Sequence, residues 1–352
     1  MQNELEAKEF PIKEARTLVK DLMKPKESIY WVDYLFHMTL GWAAFWLAST
    51  TDLLTPLWWA AYVVSTVAIY RAVIFTHELA HLKKGTFKLF RFVWNLTVGF
   101  VIMAPSFTYH GVHNDHHARD VYGTSDDGEY LPFGAGPPWK IISYVFLSFV
   151  LPLLIVIRSL VLTPLGLVIP PLHRLVWERA SSLTIDINYR RPPMNRTDDP
   201  TSRLQEVMTS VYGWAIVCLV YIGILPIQLL LMWYLVTLGT LFLNSLRTLC
   251  AHAYRNPGDE KMTLSEQFLD GVDVPGNMFT TFWAPVGLRY HATHHLFPNM
   301  PYHSLGAAHR KLKAELSDNS LYMASCRKSM WHALTRLWAD ATASQKTARK
   351  KA

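Results

Sequence analysis

The chain of 352 residues is 51% hydrophobic and 13% aromatic but only 17% charged; a soluble globular chain carries roughly 25% charged residues, so an ordinary water-soluble domain is excluded and a membrane solvent is indicated. Its three cysteines, Cys218, Cys250 and Cys326, lie far apart, and neither a disulfide framework nor a Cys-based metal site can be read from them. The net charge of +7 would suit nucleic acid, but its placement along the chain assigns it to membrane topology, and no nucleic-acid partner is expected.

Residues 1–30 are polar and mix both signs, without the short apolar run behind a basic start that marks a cleaved leader. The first apolar run begins at Tyr30–Trp31 and is expected to be a retained span. No Lys or Arg occurs from Glu27 to Tyr70 or from Leu204 to Leu246. Each stretch can hold two spans of about 20 residues. Each also breaks near its middle, at Ser49–Pro56 (STTDLLTP) and at Gly223–Pro226 (GILP). The expectation is two helical hairpins, with spans near 31–49, 57–76, 207–223 and 227–248. Every basic residue then falls on the side holding both termini, which the positive-inside rule makes cytoplasmic.

Two further apolar stretches, Leu89–Phe107 and Ile141–Pro170, carry Arg91 at the start of the first and Arg158 inside the second. A mid-span Arg costs about 2.5–3.5 kcal/mol on the lenient insertion scale. Both stretches are therefore expected to be helices that lie in the interface or dip into one leaflet. The segment His173–Arg203 (with NYRRPPMNRTDDP) reads as a polar cytoplasmic loop, and Ala341–Ala352 as a disordered basic tail. The resulting division is a cytoplasmic N-terminal segment over 1–30, a membrane domain over 31–312, and a cytoplasmic C-terminal helix and tail over 313–352. The fold class expected is an all-α integral membrane protein with a histidine-rich cytoplasmic cap.

Eight of the fifteen histidines fall into three clusters: HELAH (His77, His81), HNDHH (His113, His116, His117) and HATHH (His291, His294, His295). On a helix, residues at i, i+3 and i+4 share a face, so each cluster can present its imidazoles in one direction. His77 and His81 come where the second span leaves the membrane, and the other clusters lie on the same side. Eight imidazoles exceed one coordination sphere of four to six ligands, which argues for two metals. His252 closes the fourth span on that side and is expected to be a ninth ligand. His110, three residues before His113, is expected as a ligand or an outer partner. Glu78, Asp115, Asp120, Asp270 and Asp273 are candidates to orient imidazole N–H groups. His37, His173, His303, His309 and His332 read as ordinary residues.

Imidazole alone does not name the metal. The combination HxxxH, HxxHH and HxxHH with four spans resembles the membrane fatty acid desaturase and hydroxylase superfamily over roughly residues 31–312. The flanking HHLFPNMPYHSL and RTLCAHAYRN agree. The first box resembles that of acyl-lipid desaturases. The resemblance implies two non-haem iron ions that activate O2, a lipid acyl substrate, and desaturation as the leading reaction. Hydroxylation or oxidative decarboxylation to a terminal alkene are the alternatives on the same site. One departure is Thr248, which stands where some members place an Asn four residues before the extra histidine; Asn244 lies one turn further back.

A rival reading is an intramembrane zinc protease. HELAH matches HExxH with Glu78 as general base, and Leu269–Gly271 (LDG) would supply Asp270, but both HxxHH clusters are then left without a role. A metal transporter or a haem protein is a second rival, though transporter ligands belong near the bilayer midplane. The sequence holds no redox module of its own, so electrons are expected from a separate ferredoxin or cytochrome b5. Such an acidic carrier would be steered to Lys83, Lys84, Lys88 and Arg289; anionic membrane lipids are the other partner those charges suit.

Overall fold

The computed structural model describes residues 9–83, 85–193, 201–258 and 260–351. They are helical, with isolated β-bridges and no strand among the described residues. They form two compact units. One comprises Glu27–His113 and Phe146–Leu243; the other gathers the residues up to Lys26, Asn114–Val145 and Asn244 onward.

The first unit is built on paired long helices. Glu27–Thr50 and Pro56–His81 are joined by a tight turn. Pro56 stands at the first helical position and Thr55 caps it, accepting from Trp58 N at 3.2 Å. Gly41 allows the two helices to close up: a Cβ there would lie 2.9 Å from Ile69 Cγ1 and 3.1 Å from its backbone nitrogen. Phe45, Ala48, Trp58, Ala61 and Ile69 pack with Leu229, Met232 and Val236 into one buried cluster. Outward faces stay apolar, with Val32, Phe36, Val63 and Phe146 more than half exposed. In water that would be an unstable patch; in hydrocarbon it is the favourable surface.

Among the described residues four helices are long and apolar enough to cross a membrane: Pro56–His81, Trp139–Val168, Ser202–Tyr221 and Gln228–Leu249. Three coincide with expected spans. The expected first span is the helix Glu27–Thr50, which has the length but is not one of the four. Its Asp33 forms a two-pronged ion pair with Arg71 of the next helix. The helix over 139–168 is long and apolar enough to cross a membrane, where the sequence led to an expectation of the interface or one leaflet. Arg158 does not need the interface, because it is buried and bonded to Glu206 and Ser181, at the level of a π-helical turn over Ile157–Leu162. His173 reaches the second oxygen of Glu206 at 3.2 Å. Replacing a buried ion pair with apolar residues of similar volume is often neutral or stabilising. Arg158→Leu with Glu206→Leu is therefore expected to leave the thermal midpoint of the detergent-solubilised protein unchanged or raised. A steep drop would mean that the pair does more than neutralise itself.

His173 itself belongs to a helix, Pro170–Ala180, so the expected loop is shorter than 173–203; its residues 194–200 lie outside the described residues. Leu89–Phe107 contains only the short helix Lys88–Trp94 and a π-turn over Asn95–Gly99.

The second unit has its core around Phe10, Phe268, Leu296, Leu305, Leu312 and Tyr322. The expected tail is ordered as a helix, Met330–Lys351. Its Ala, Lys, Arg and Gln content favours helix, and Ala333, Leu337 and Ala341 are buried.

Candidate metal centre

His77 and His81 close the helix Pro56–His81 and, at i and i+4, share one face of it. In the same unit His113 faces them: its ring centroid lies 4.6 Å from His77 and 4.7 Å from His81, and the His81 and His113 Nε2 atoms are 2.8 Å apart. These three offer ring nitrogens within 4.8 Å of one another. Glu78 is buried beside them, 3.7 Å from His77 Nδ1, and accepts the Tyr30 hydroxyl at 2.6 Å.

In the other unit His116, His252, His291 and His295 form a second group within the same limit. His252 Nε2 is 2.9 Å from His291 Nε2 and 3.3 Å from His116 Nε2, and His295 Nε2 is 3.1 Å from His291 Nε2. Ligands about 2.1 Å from a shared ion, at tetrahedral or octahedral angles, stand roughly 3.0–3.4 Å from each other. The donor set therefore fits a metal ion in both number and spacing. His117 and His294 face each other at 3.1 Å between Nε2 atoms.

The partners behind the rings reinforce that fit. Asp127 is completely buried and takes His116 Nδ1 at 2.8 and 3.0 Å, while Gly123 N and Glu129 N hold its oxygens. Behind His252, Tyr122 Oη lies 2.8 Å from Nδ1 and donates to Asp270 Oδ2 at 2.9 Å. The hydroxyl has one proton, so the chain runs from His252 Nδ1–H to Tyr122 and on to Asp270. Both arrangements place the ring proton on Nδ1 and leave the Nε2 lone pair facing the centre.

Burial, and then the neighbouring imidazoles, holds His252 and His291 well below the ordinary histidine range. They are thus neutral, as a ligand must be. At His116 burial also favours the neutral form, but Asp127, joined by Glu129 and Asp270, outweighs it and the value rises.

The other expected residues separate. His110 lies on the helix Phe107–His116 but belongs to neither group. Asp115, on the same helix, is half-buried, and the carboxylate on the His116 ring is that of Asp127. Asp120 is corrected to a surface residue paired with Lys261, both strongly exposed. Asp273 is turned to other partners. It reaches the backbone and hydroxyl of Thr293 and the ring of His309, rather than a ring of the third cluster. With Cys326 these form a further group of potential ligands, Asp273, His309 and Cys326, so His309 is not the ordinary residue expected. Asn244 accepts from Arg247 at 2.9 Å, and Thr248 O accepts from Tyr254 at 2.9 Å. Lys83 and Lys88 are exposed and Lys84 lies outside the described residues. Arg289 stacks on the Tyr290 ring at 4.9 Å and donates to two backbone carbonyls. Asp127 and Tyr122 were missed, because neither stands at a helical spacing from the histidine it serves.

The family model for fatty acid desaturases matches residues 55–327. A ceramide hydroxylase of Caulobacter vibrioides (strain NA1000 / CB15N) is 39% identical over 327 residues, 93% of this chain and 92% of that protein. No solved structure matches the chain.

Proposed function

The chain belongs to the fatty acid desaturase family, and from that premise we propose that it is a multi-pass membrane oxygenase that hydroxylates an acyl chain of a ceramide-type lipid. The observation that carries the reaction class is the convergence of four imidazoles, two of them backed by buried acids, on one point. An alkyl C–H bond is too inert for side-chain acid–base chemistry, so a redox cofactor must act on it. Two iron ions would supply O2 activation and C–H oxidation. His77, His81 and His113 would hold one, and His116, His252, His291 and His295 the other, with His117 and His294 completing the set.

The protein's own part is to keep these rings neutral and aimed. Asp127 and the Tyr122–Asp270 chain hold the Nδ1 protons, and Glu78 stands beside His77. Hydroxylation consumes O2, two electrons and two protons and yields the alcohol and water. We assign the electrons to an external ferredoxin or cytochrome b5 docking at Lys83, Lys84 and Lys88 on the cytoplasmic side.

Hydroxylation is favoured by the identity to a ceramide hydroxylase. Desaturation is the second reading, favoured by the HxxxH form of the first box. Lipid profiling of cells expressing the chain, against the His116→Ala variant, separates them. Acyl chains that gain one oxygen atom support hydroxylation; chains that lose two hydrogens replace it with desaturation. No change in any lipid would sink both.

A further inference from the structure

We propose that Asp273 is a positioning residue for the third histidine cluster, acting through Thr293, and that the Asp273–His309–Cys326 group is a hydrogen-bonded anchor rather than a third metal site. This rests on the reading of His116, His252, His291 and His295 as metal ligands.

The helix carrying that cluster, His291–Leu296, has six residues and no side-chain cap of its own. Helices this short do not hold themselves, because the first turn fixes several residues for one hydrogen bond. The order must come from outside, and Asp273 supplies it. One carboxylate oxygen takes Thr293 N at 3.1 Å and the other takes Thr293 Oγ1 at 2.6 Å. A buried negative charge against the first turn also complements the helix dipole.

Asp273 is itself clamped. Its N–H donates to Ser325 O, and its C=O accepts from Arg327 N. His309 Nδ1 and Tyr322 Oη each lie 3.3 Å from Oδ2, and those two groups are 2.8 Å apart. The same strap reaches the other ligand. Ala253 N bonds to Asp270 O and Val272 N to Ala251 O, on either side of His252, while Asp270 ends the chain through Tyr122. Gly271 is what permits this: a Cβ there would stand 3.1 Å from Ala292 Cα. One segment, Asp270–Val274, thus sets the distance between His252 and His291.

A third metal does not fit the anchor. A carboxylate has about four lone-pair sites, and Asp273 already serves the N–H and hydroxyl of Thr293, the His309 ring and Tyr322. The Cys326 thiol, pushed up to about 12 by burial and by Asp273, points its Sγ at Tyr322 O, 3.6 Å away, and donates there.

The test uses the full chain, purified in detergent and loaded with Fe(II) or, for its visible bands, Co(II). Metal per chain and the Co(II) spectrum are recorded. Asp273→Ala is expected to weaken retention at the His291-bearing group about 10–100-fold, the usual effect of losing an outer partner, and to shift the Co(II) bands. Asp273→Asn, which can still accept Thr293 N–H, restores most of both. Should Asp273→Ala fail to fold, Thr293→Val is expected to show the same band shift in smaller degree. Cys326→Ser should match wild type. Unchanged metal and bands in Asp273→Ala, or unchanged bands in Thr293→Val, overturn the proposal. So do three metals per wild-type chain that fall to two in Cys326→Ser. A wild type that retains no metal refutes the underlying metal reading instead.

Discussion

Replacing His252 by Ala is expected to remove one metal equivalent per chain and abolish turnover, while the protein stays in the membrane fraction. His252 lies between two of its neighbours, its Nε2 2.9 Å from that of His291 and 3.3 Å from that of His116. Its loss removes a ligand and leaves Tyr122 and Asp270 with no ring to orient. The effect should therefore exceed the ~10–100-fold typical of an outer partner. Insertion should survive because His252 follows the last residue of Gln228–Leu249 and contributes nothing to its apolar surface. His303→Ala is the control. That ring is partly exposed, its Nε2 accepts from Lys26 N at the surface, and its replacement should be tolerated. Metal analysis and product assay decide the matter, and full activity in His252→Ala would contradict the assignment.

The three clusters were legible in the sequence because helix geometry converts i, i+3 and i+4 into one face. HELAH falls on the last turn of a long apolar helix, where both its rings can leave the membrane together. His252 was legible from its position after the last span. What stands behind the rings was not. Asp127 serves His116 from a turn eleven residues downstream, and its oxygens are fixed by Gly123 N and Glu129 N; no periodic spacing announces such a contact. Asp273 was singled out for its charge, yet its work is on Thr293. His309 looked ordinary because its partner is thirty-six residues away. The same blindness to distant partners bears on the helix over 139–168. A lone Arg inside an apolar stretch argues against a span only until its counter-ion, Glu206, forty-eight residues on, is known.

Asp127→Asn should weaken metal binding at neutral pH and yet make it less sensitive to acid. In wild type the Asp127 charge raises the His116 value against the effect of burial. Metal needs the neutral ring, so a proton competes at His116 at a higher pH than at an ordinary histidine. His252 and His291 are shifted the other way and stay neutral well below that point. As pH falls through the raised value, His116 is therefore the first of these three to take a proton at Nε2, and retention drops there. Asparagine can still accept the Nδ1 proton, but without the charge the ring is a poorer donor to the metal, and about 10–100-fold in affinity is lost. Burial then acts unopposed by that charge, the His116 value falls, and acid release moves to lower pH. Iron retained after dialysis across a pH series reads both effects. A mutant curve that is only scaled down, with its acid edge where wild type has it, would mean that proton competition at His116 does not set the edge.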